Sequence, residues 1–555
     1  MENKEKQLFY FLFATIALVV GMGMFVPVME VDAAQYASIS KQMWQDKSFL
    51  QVIHRDINYL DKPPLLFWLS GLFMGAFGFS DFVYKLPSVL FSVLGVVSTF
   101  RFAKHFYGVR TGYWAALIYS SSVAFFIFNN DIRTDTLIIN LLVFTVYQLV
   151  LYRDNGSKKA FVWAFIGIGL SMLAKGPLGL VFPALAIGGD LVMRRDWKFL
   201  FRWQWFLGLG IVGLVLLPMC IGLYQQFDAN PNVWVNGENG VSGLKFFFWT
   251  QSFGRLTGDS IWATAYSNNP GPFFLTNTFL WAFLPWTPLF LIAFIQKLKH
   301  MFVNRFKAKA GEEWMTFFAF ILPLIALSKS GYQLNHYIYV VIPFTSVLAA
   351  SLLVRWQGIE GGWLTSWRTY SAIFQVVVFV LVSWIMVQVF PSKWTWVLMA
   401  LVPVVLLFWR GISNKISFVL AGTVVFCFAV MNGYFYPELL QYQRGKHVSD
   451  FYNAVKTPKS KLYFYKTGAS HSLDFYQDRW VPRYGYESSE DLLKADHIYI
   501  YTNTNGLKAM REKDISYSVM DSMEFFPITR LNWEFMNPET RKAVIRKRYF
   551  IEIQN

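Results

Sequence analysis

Residues Met29–Pro64 read MEVDAAQYASISKQMWQDKSFLQVIHRDINYLDKPP. The stretch follows an apolar run of about twenty residues, long enough to cross a bilayer, and is itself far too polar to do so. Asp32 stands at its start, a few residues past the end of that run. Tyr59-Leu60-Asp61-Lys62-Pro63-Pro64 closes it, an acid beside a base just where the chain turns apolar again. A loop lying on a membrane face can fold over and bring its two charged ends together. The rest of the chain is expected to supply further charged partners to the same face.

The chain has 555 residues, of which 55% are hydrophobic and 19% aromatic, more apolar material than one water-soluble core can use. This composition predicts a polytopic α-helical membrane protein. The N-terminus MENKEKQLFYFLFATIALVV carries no small-residue cleavage site after its apolar run, so a retained membrane helix is expected and not a signal peptide. The net charge of +16 resides mostly in short loops between apolar runs, and no Arg/Lys tract resembles a nucleic-acid-binding arm. Cys220 and Cys427 both fall inside apolar runs and read as small buried hydrophobes.

Apolar runs near 8–29, 83–103, 111–128, 134–152, 160–174, 177–193, 204–224, 272–296, 314–328, 336–354, 370–390, 394–410 and 415–434 predict about thirteen transmembrane helices. The segment 64–79 is apolar but short and follows two prolines, so it is expected to lie at the interface. Basic residues recur in alternate loops: Arg101, Lys104 and Arg110; Arg153, Lys158 and Lys159; Arg194, Arg195, Lys198 and Arg202; Lys297 to Lys309; Arg355 and Arg368; Arg410 and Lys415. They share a side with Lys4 and Lys6, which the positive-inside rule makes cytoplasmic. The domain organisation expected is a transmembrane domain over 1–434, with outer loops 30–82 and 225–271, and an extracytoplasmic α/β domain over 435–555. In that last part hydropathy falls and β-rich runs stand at 461–465, 497–501 and 548–553, alternating with helix-like stretches near 446–456 and 487–495.

The outer side then holds charged residues at the mouths of spans: Asp32, Asp61 and Lys62, Asp135, Lys175, Arg255, Lys329 and His336 with Tyr337. Charges at membrane depth are costly and commonly face one another across a water-filled cavity. Separate snorkelling of each to water is the alternative. Acids and bases at the lipid boundary suit a reaction in which a phosphate is gripped while a neighbouring bond breaks, with an Asp serving an attacking hydroxyl. A sugar carried on a lipid phosphate fits the outer face better than a cytoplasmic nucleotide sugar. The C-terminal part shows no His/Cys metal spacing and no phosphate-cradling glycine loop, and the cations of the outer face are placed to neutralise phosphate, so neither a metal nor a cofactor is expected for catalysis.

The first loop, Asp32-Ala-Ala-Gln-Tyr-Ala followed by Tyr59-Leu-Asp-Lys-Pro-Pro, resembles that of the bacterial aminoarabinose transferases that modify lipid A. More broadly it is similar to the GT-C-type lipid-phosphate-sugar glycosyltransferases, protein O-mannosyltransferases among them. Leu173-Ala-Lys175-Gly-Pro resembles the family's T-K-G turn, Arg133-Thr-Asp135 its second Asp at a helix mouth, and Phe248-Trp249 with Arg255 its aromatic loop ending in a phosphate-binding Arg. The departures are Ala33 for the usual Glu, Gln35 for Arg, Asp61 for Glu, and K-S-G-Y-Q-L-N-H-Y at Lys329–Tyr337 for K-x-K-L-P-x-Y. The resemblance implies transfer of a sugar from a polyprenyl-phosphate donor, with inversion, to a lipid or glycan acceptor in or on the bacterial inner membrane. It also implies a cytoplasmic N-terminus and a periplasmic C-terminal domain. By the same resemblance Asp32 and Asp135 are catalytic, Lys62 and Arg255 hold the donor phosphate, and Tyr59, Asp61, Lys175, Lys329, His336 and Tyr337 shape the cavity. A protein O-glycosyltransferase of the same fold, a lipid or sugar transporter and a binding scaffold remain as alternatives. A transporter predicts charges at mid-membrane and access from both sides.

Overall fold

The computed structural model describes residues 3–235, 237–251, 254, 271–357, 363–391, 416–485 and 496–553. The predicted span at 394–410, the helix-like stretch 487–495 and Arg255 lie outside the described residues. Long helices dominate, in chain order α1 (Asn3–Phe25), α2 (Asp32–Asp46), α3 (Leu65–Phe77), α4 (Asp81–Tyr107), α5 (Val109–Ser120), α6 (Val123–Asn130), α7 (Thr134–Asn155), α8 (Lys158–Lys175), α9 (Leu178–Arg194), α10 (Gln204–Leu223), α11 (Phe274–Ala282), α12 (Thr287–Val303), α13 (Met315–Ser328), α14 (Ile342–Gln357), α15 (Trp363–Val389) and α16 (Ile416–Val430). The first loop carries a short hairpin, β1 (Ile53–His54) paired antiparallel with β2 (Ile57–Asn58).

Seven helices among the described residues are long and apolar enough to cross a membrane, eight when the α5–α6 pair, bent by 54°, counts as one. Two of the predicted spans are therefore not continuous helices. The run at 111–128 breaks at Ser121-Ser122, where the Ser122 hydroxyl accepts the Phe125 N–H and starts α6. The run at 272–296 breaks at Phe283–Trp286, because Pro285 has no N–H to continue the ladder. The two breaks satisfy each other: Val123 N–H donates to the Leu284 carbonyl at 3.1 Å, and Trp286 Nε1 donates to Ser121 Oγ at 3.0 Å. Irregular backbone inside an apolar bundle needs such internal partners. The most buried spans are α7 and the one over Asn335–Gln357, at 78% and 89% of their apolar windows, so they form the bundle's centre while α1 and α10 lie outside.

The C-terminal part continues with α17 (Gly445–Val455), β3 (Lys461–Tyr465), α18 (His471–Tyr476), β4 (Ile498–Asn503), α19 (Thr504–Arg511), β5 (Tyr517–Phe525) and β6 (Arg546–Ile553). The strands make one mixed sheet in the order β3-β4-β6-β5. Strand alternation sends Leu462, Phe464, Tyr499 and Tyr501 to one face, against Val448, Tyr452 and Leu473. Tyr463, Ile498 and Ile500 go to the other, against Leu507 and Met510. Both faces are thus covered by helices, which is why central β4 is apolar on both sides.

Helix α2 connects this unit to the bundle. One flank packs on α3, and the other meets α18, so even its polar residues Ser38, Ser40, Lys41 and Gln42 are buried. Lys41 Nζ donates to the Phe475 carbonyl at 2.9 Å and to the Gln477 carbonyl, occupying the orphan acceptors at the end of α18. Glu30 accepts from Ser470 Oγ, Ser472 N–H and Ser472 Oγ at 2.8–2.9 Å, and Tyr476 donates to Asp81 at 2.7 Å.

Lys41→Met leaves two buried carbonyls without a donor and is expected to cost about 1–3 kcal/mol of stability, read as a lower melting temperature in detergent at pH 7. Burial holds the Lys41 ammonium down at about 8. Between that value and the ordinary lysine range the unfolded chain binds more protons than the folded one, so Lys41 adds stability as pH rises through this window. The gap between wild type and Lys41→Met should therefore widen from pH 8 to pH 10, and a constant gap would contradict the buried, charged Lys41.

Candidate active site

A cavity of about 330 Å³ opens where the first loop, the start of α7, the end of α8 and the Ser330–Tyr337 segment meet. Its polar half is built from helix ends. α7 and α8 are antiparallel neighbours, so the first turn of α7 lies beside the last residue of α8. Asp135 is in that first turn, where the helix dipole favours an anion, and Lys175 closes α8, where it favours a cation. The two form a direct ion pair, with Asp135 5% exposed and Lys175 17%. Gly176, at φ 71°, then turns the chain into α9 in a conformation that costs glycine little.

His336 closes the other side of Asp135, its Nε2 lying 3.7 Å from Asp135 Oδ2. Arg133 Nη1 approaches His336 Nδ1 at 3.4 Å, which makes Nδ1 the acceptor and puts the ring proton on Nε2, toward Asp135. Arg133 also binds two acids, Asp131 at 2.7 Å and Asp32 at 2.6 Å. Burial opposes the charge on Arg133, but Asp131 and Asp32 outweigh it and hold the guanidinium above its usual range. The result is one chain of polar contacts, Asp131–Arg133–Asp32 and Arg133–His336–Asp135–Lys175. Tyr36 lies beneath Asp32; burial first, then Tyr59 and Asp32, push its phenol up, so it stays a hydrogen-bond donor.

At the mouth Asp61 and Lys62 are a loose, partly exposed pair, 3.7 Å apart. Gln251 Nε2 donates to the Asp61 carbonyl, which ties the end of the first loop to the second one. The lower wall is apolar: Leu178, Val181, Phe182 and Leu185 follow helical spacing along α9 and face Pro323 and Leu327 on α13. The cavity is therefore amphipathic, charged at one end and oily at the other.

Of the residues predicted for the site, Asp32, Asp61, Lys62, Asp135, Lys175, His336 and Tyr337 line this cavity together. Asp32 is paired with Arg133, which reaches it from the start of α7. Lys329 is a correction: it caps the end of α13 and is exposed, while Ser330, Tyr332 and Leu334 face the cavity in its place. Tyr59 is another. Its ring packs beside Phe67 at 6.0 Å and borders a small adjoining pocket, not the main cavity. Sequence reading missed Arg133 as the hub, Asp131, Gln251 and the apolar stripe; the i, i+3, i+4, i+7 spacing on α9 was the signal available for the last.

Residues 61–221 match the family description of dolichyl-phosphate-mannose-protein mannosyltransferases. An undecaprenyl phosphate-α-4-amino-4-deoxy-L-arabinose arabinosyl transferase of Pseudomonas fluorescens is 24% identical over 353 residues, 62% of this chain and 58% of that protein. The Yersinia pestis enzyme of that name is 24% identical over 329 residues, 58% of this chain and 54% of the relative. The match thus spans just over half the length of these relatives. The crystal structure of ArnT from Cupriavidus metallidurans bound to undecaprenyl phosphate superimposes with a TM-score of 0.71 at 17% identity, covering 98% of this chain and 97% of that one. Its apo form gives 0.71 at 16%, covering 99% and 98%. By sequence the chain is aminoarabinose-transferase-like, and its fold is the GT-C membrane fold expected from the first loop.

Removing one partner of the Asp135–Lys175 pair strands a charge in the bundle. Asp135→Asn and Lys175→Met should each lower stability by about 3–5 kcal/mol, while the double variant loses less than the sum. Additive losses in thermal denaturation would show that the two side chains act independently.

Proposed function

We propose that the protein is a membrane glycosyltransferase that moves a sugar from a polyprenyl-phosphate donor to an acceptor at the outer face of the bacterial inner membrane. The amphipathic cavity is the observation that carries this reading. A polyprenyl phosphate has the same two halves: its tail matches the stripe on α9 and α13, and its phosphate matches the charged end beside Lys62. Lipid A or another envelope glycolipid is the acceptor favoured by the likeness to the aminoarabinose transferases. Protein acceptors are the second reading, supported by the family description over residues 61–221.

In the reaction the bond between the sugar's anomeric carbon and the phosphate oxygen breaks, the acceptor oxygen bonds to that carbon from the opposite side, and polyprenyl phosphate departs. Lys62 is assigned to the departing phosphate, because its bond to Asp61 is long and exposed enough to yield. Asp32, oriented by Arg133, is assigned to the acceptor hydroxyl, which it would deprotonate, or to orienting the acceptor where that group is already an anionic phosphate. Asp135 is placed near the sugar and is held ready by Lys175 and His336. The N-terminus is assigned to the cytoplasm and the C-terminal α/β unit to the periplasm, from the basic residues of alternate loops.

Asp32→Asn keeps size and hydrogen bonding but removes the charge. In purified protein supplied with undecaprenyl-phosphate sugars it should lower turnover by roughly 10²-fold or more, with donor binding little changed. Lys62→Ala should weaken donor binding as well as slow the step, since its contact with phosphate exists in both states. Near-normal turnover in Asp32→Asn would remove its catalytic assignment, and unchanged donor affinity in Lys62→Ala would reduce the Asp61–Lys62 pair to a staple of the loop. Lipid A and peptide acceptors supplied in parallel separate the two readings. Reporter fusions after Lys159 and after Asn555 should give cytoplasmic and periplasmic signals respectively; the same location for both would sink the topology.

A further inference from the structure

About the hairpin of the first loop, a second group of polar side chains gathers outside the cavity. His54 at the end of β1 meets His471 and Asp474, which stand three apart on one face of α18. Atoms of all three able to bind a metal lie within 4.8 Å of one another, the one grouping of three His, Cys, Asp or Glu residues among the described residues to do so. The two imidazole rings are 5.1 Å apart between centroids. His54 Nε2 and His471 Nδ1 are both buried with no hydrogen-bond partner, an arrangement that native proteins seldom leave uncompensated.

The carboxylate of Asp474 has one acceptor site to spare. Its Oδ1 receives Arg55 Nη2 at 3.0 Å and the Val481 N–H at 2.9 Å, which fills that oxygen. Its Oδ2 receives Arg55 Nε at 2.7 Å and has a second lone pair, on the atom 3.9 Å from His471 Nδ1. Two ring nitrogens and one carboxylate oxygen, each unspent, thus converge on one point. We propose that His54, His471 and Asp474 form a site for a divalent ion of the zinc class, with a fourth position taken by water, which joins the first loop to the C-terminal α/β unit.

The chemistry of the donors fits. Imidazole and carboxylate suit zinc and its neighbours in the first transition row, and not magnesium or calcium, which take oxygen ligands. Ligands bind in their unprotonated forms, here two neutral imidazoles and a carboxylate. Arg55 already holds the carboxylate in place from outside, the usual part of an outer-shell partner, and the carboxylates of Glu30 and Asp474 offset its positive charge. Gln35 lies 3.5 Å from His54 Nδ1; turning its amide presents the oxygen to Nδ1–H and leaves Nε2 free to bind. Tetrahedral bonds of about 2.0–2.1 Å need ligand atoms roughly 3.3 Å apart, so the rings must close slightly on the ion.

The test uses the full-length protein in detergent, stripped with a chelator and titrated separately with Zn²⁺ and Co²⁺. Expected are saturable stoichiometric uptake, visible ligand-field bands of four-coordinate Co²⁺, and a rise in melting temperature with Zn²⁺. His54→Gln and His471→Gln should each abolish the bands and the thermal rise while remaining monodisperse with wild-type helix content. X-ray absorption of the zinc-loaded wild type gives a reading independent of any variant, and should show imidazole among the ligands. Absence of saturable uptake, a ligand shell without imidazole, or bands retained in both variants would overturn the site.

Discussion

A carboxylate carried into an apolar bundle must meet a cation there, and at the cavity Asp135, 5% exposed, meets Lys175. In the interior, an ion of this kind without a partner costs several kcal/mol. Here the antiparallel pairing of α7 and α8 sets a helix start against a helix end, so the backbone dipoles and the Asp135–Lys175 pair favour the same arrangement. Everything else in the charged half of the cavity is referred to this point. His336 is placed by Asp135, Arg133 by His336 and by its own acids, and Asp32 by Arg133. The electrostatics of the site and the packing of the central helix α7 against α8 are one set of contacts.

The same economy governs the outer side of the site. Helix α2 presents Asp32 to the cavity from its first residue and buries Ser38, Ser40, Lys41 and Gln42 between α3 and α18. That requires donors and acceptors from the C-terminal unit, which Lys41, Glu30 and Arg55 find on or beside α18. The α/β unit is consequently a wall of the first loop and not an appendage to it. A displacement of α18 would reach Asp32 through a single helix.

Much of this was legible in the sequence, for physical reasons that can be named. Runs of about twenty apolar residues report the bilayer directly, and acids or bases at their mouths report a shared polar face; hence Asp32, Asp61, Lys62, Asp135, Lys175 and His336 were found together. What failed turned on side-chain direction and on helix breaks. Lys329 and Ser330 are adjacent, and only the backbone at the end of α13 decides which of them faces inward. Arg133 looked like a flanking residue because its partners Asp32 and His336 lie 101 and 203 positions away. The break at 121–122 carries only serines, and its compensation comes from the break at 283–286, a pairing that no local window contains. Strand β5 went unread because it is an edge strand with many exposed residues and an irregularity between Val519 and Asp521, which spoils the alternation.

The cations of the site differ in how firmly they are held, and this difference sorts structure from chemistry. Lys175 and Arg133 are bound to buried or half-buried acids, and withdrawing either would strand a carboxylate. Lys62 is joined to Asp61 by a contact of 3.7 Å between side chains that are 22% and 33% exposed. A pair of that kind is worth about 0–1 kcal/mol, so an arriving phosphate can take Lys62 at little cost. Meanwhile the backbone of Asp61 stays fixed by Gln251, and Pro63 and Pro64 stiffen the chain just beyond. The loop end thus offers a cation whose tether is rigid and whose charge is nearly free.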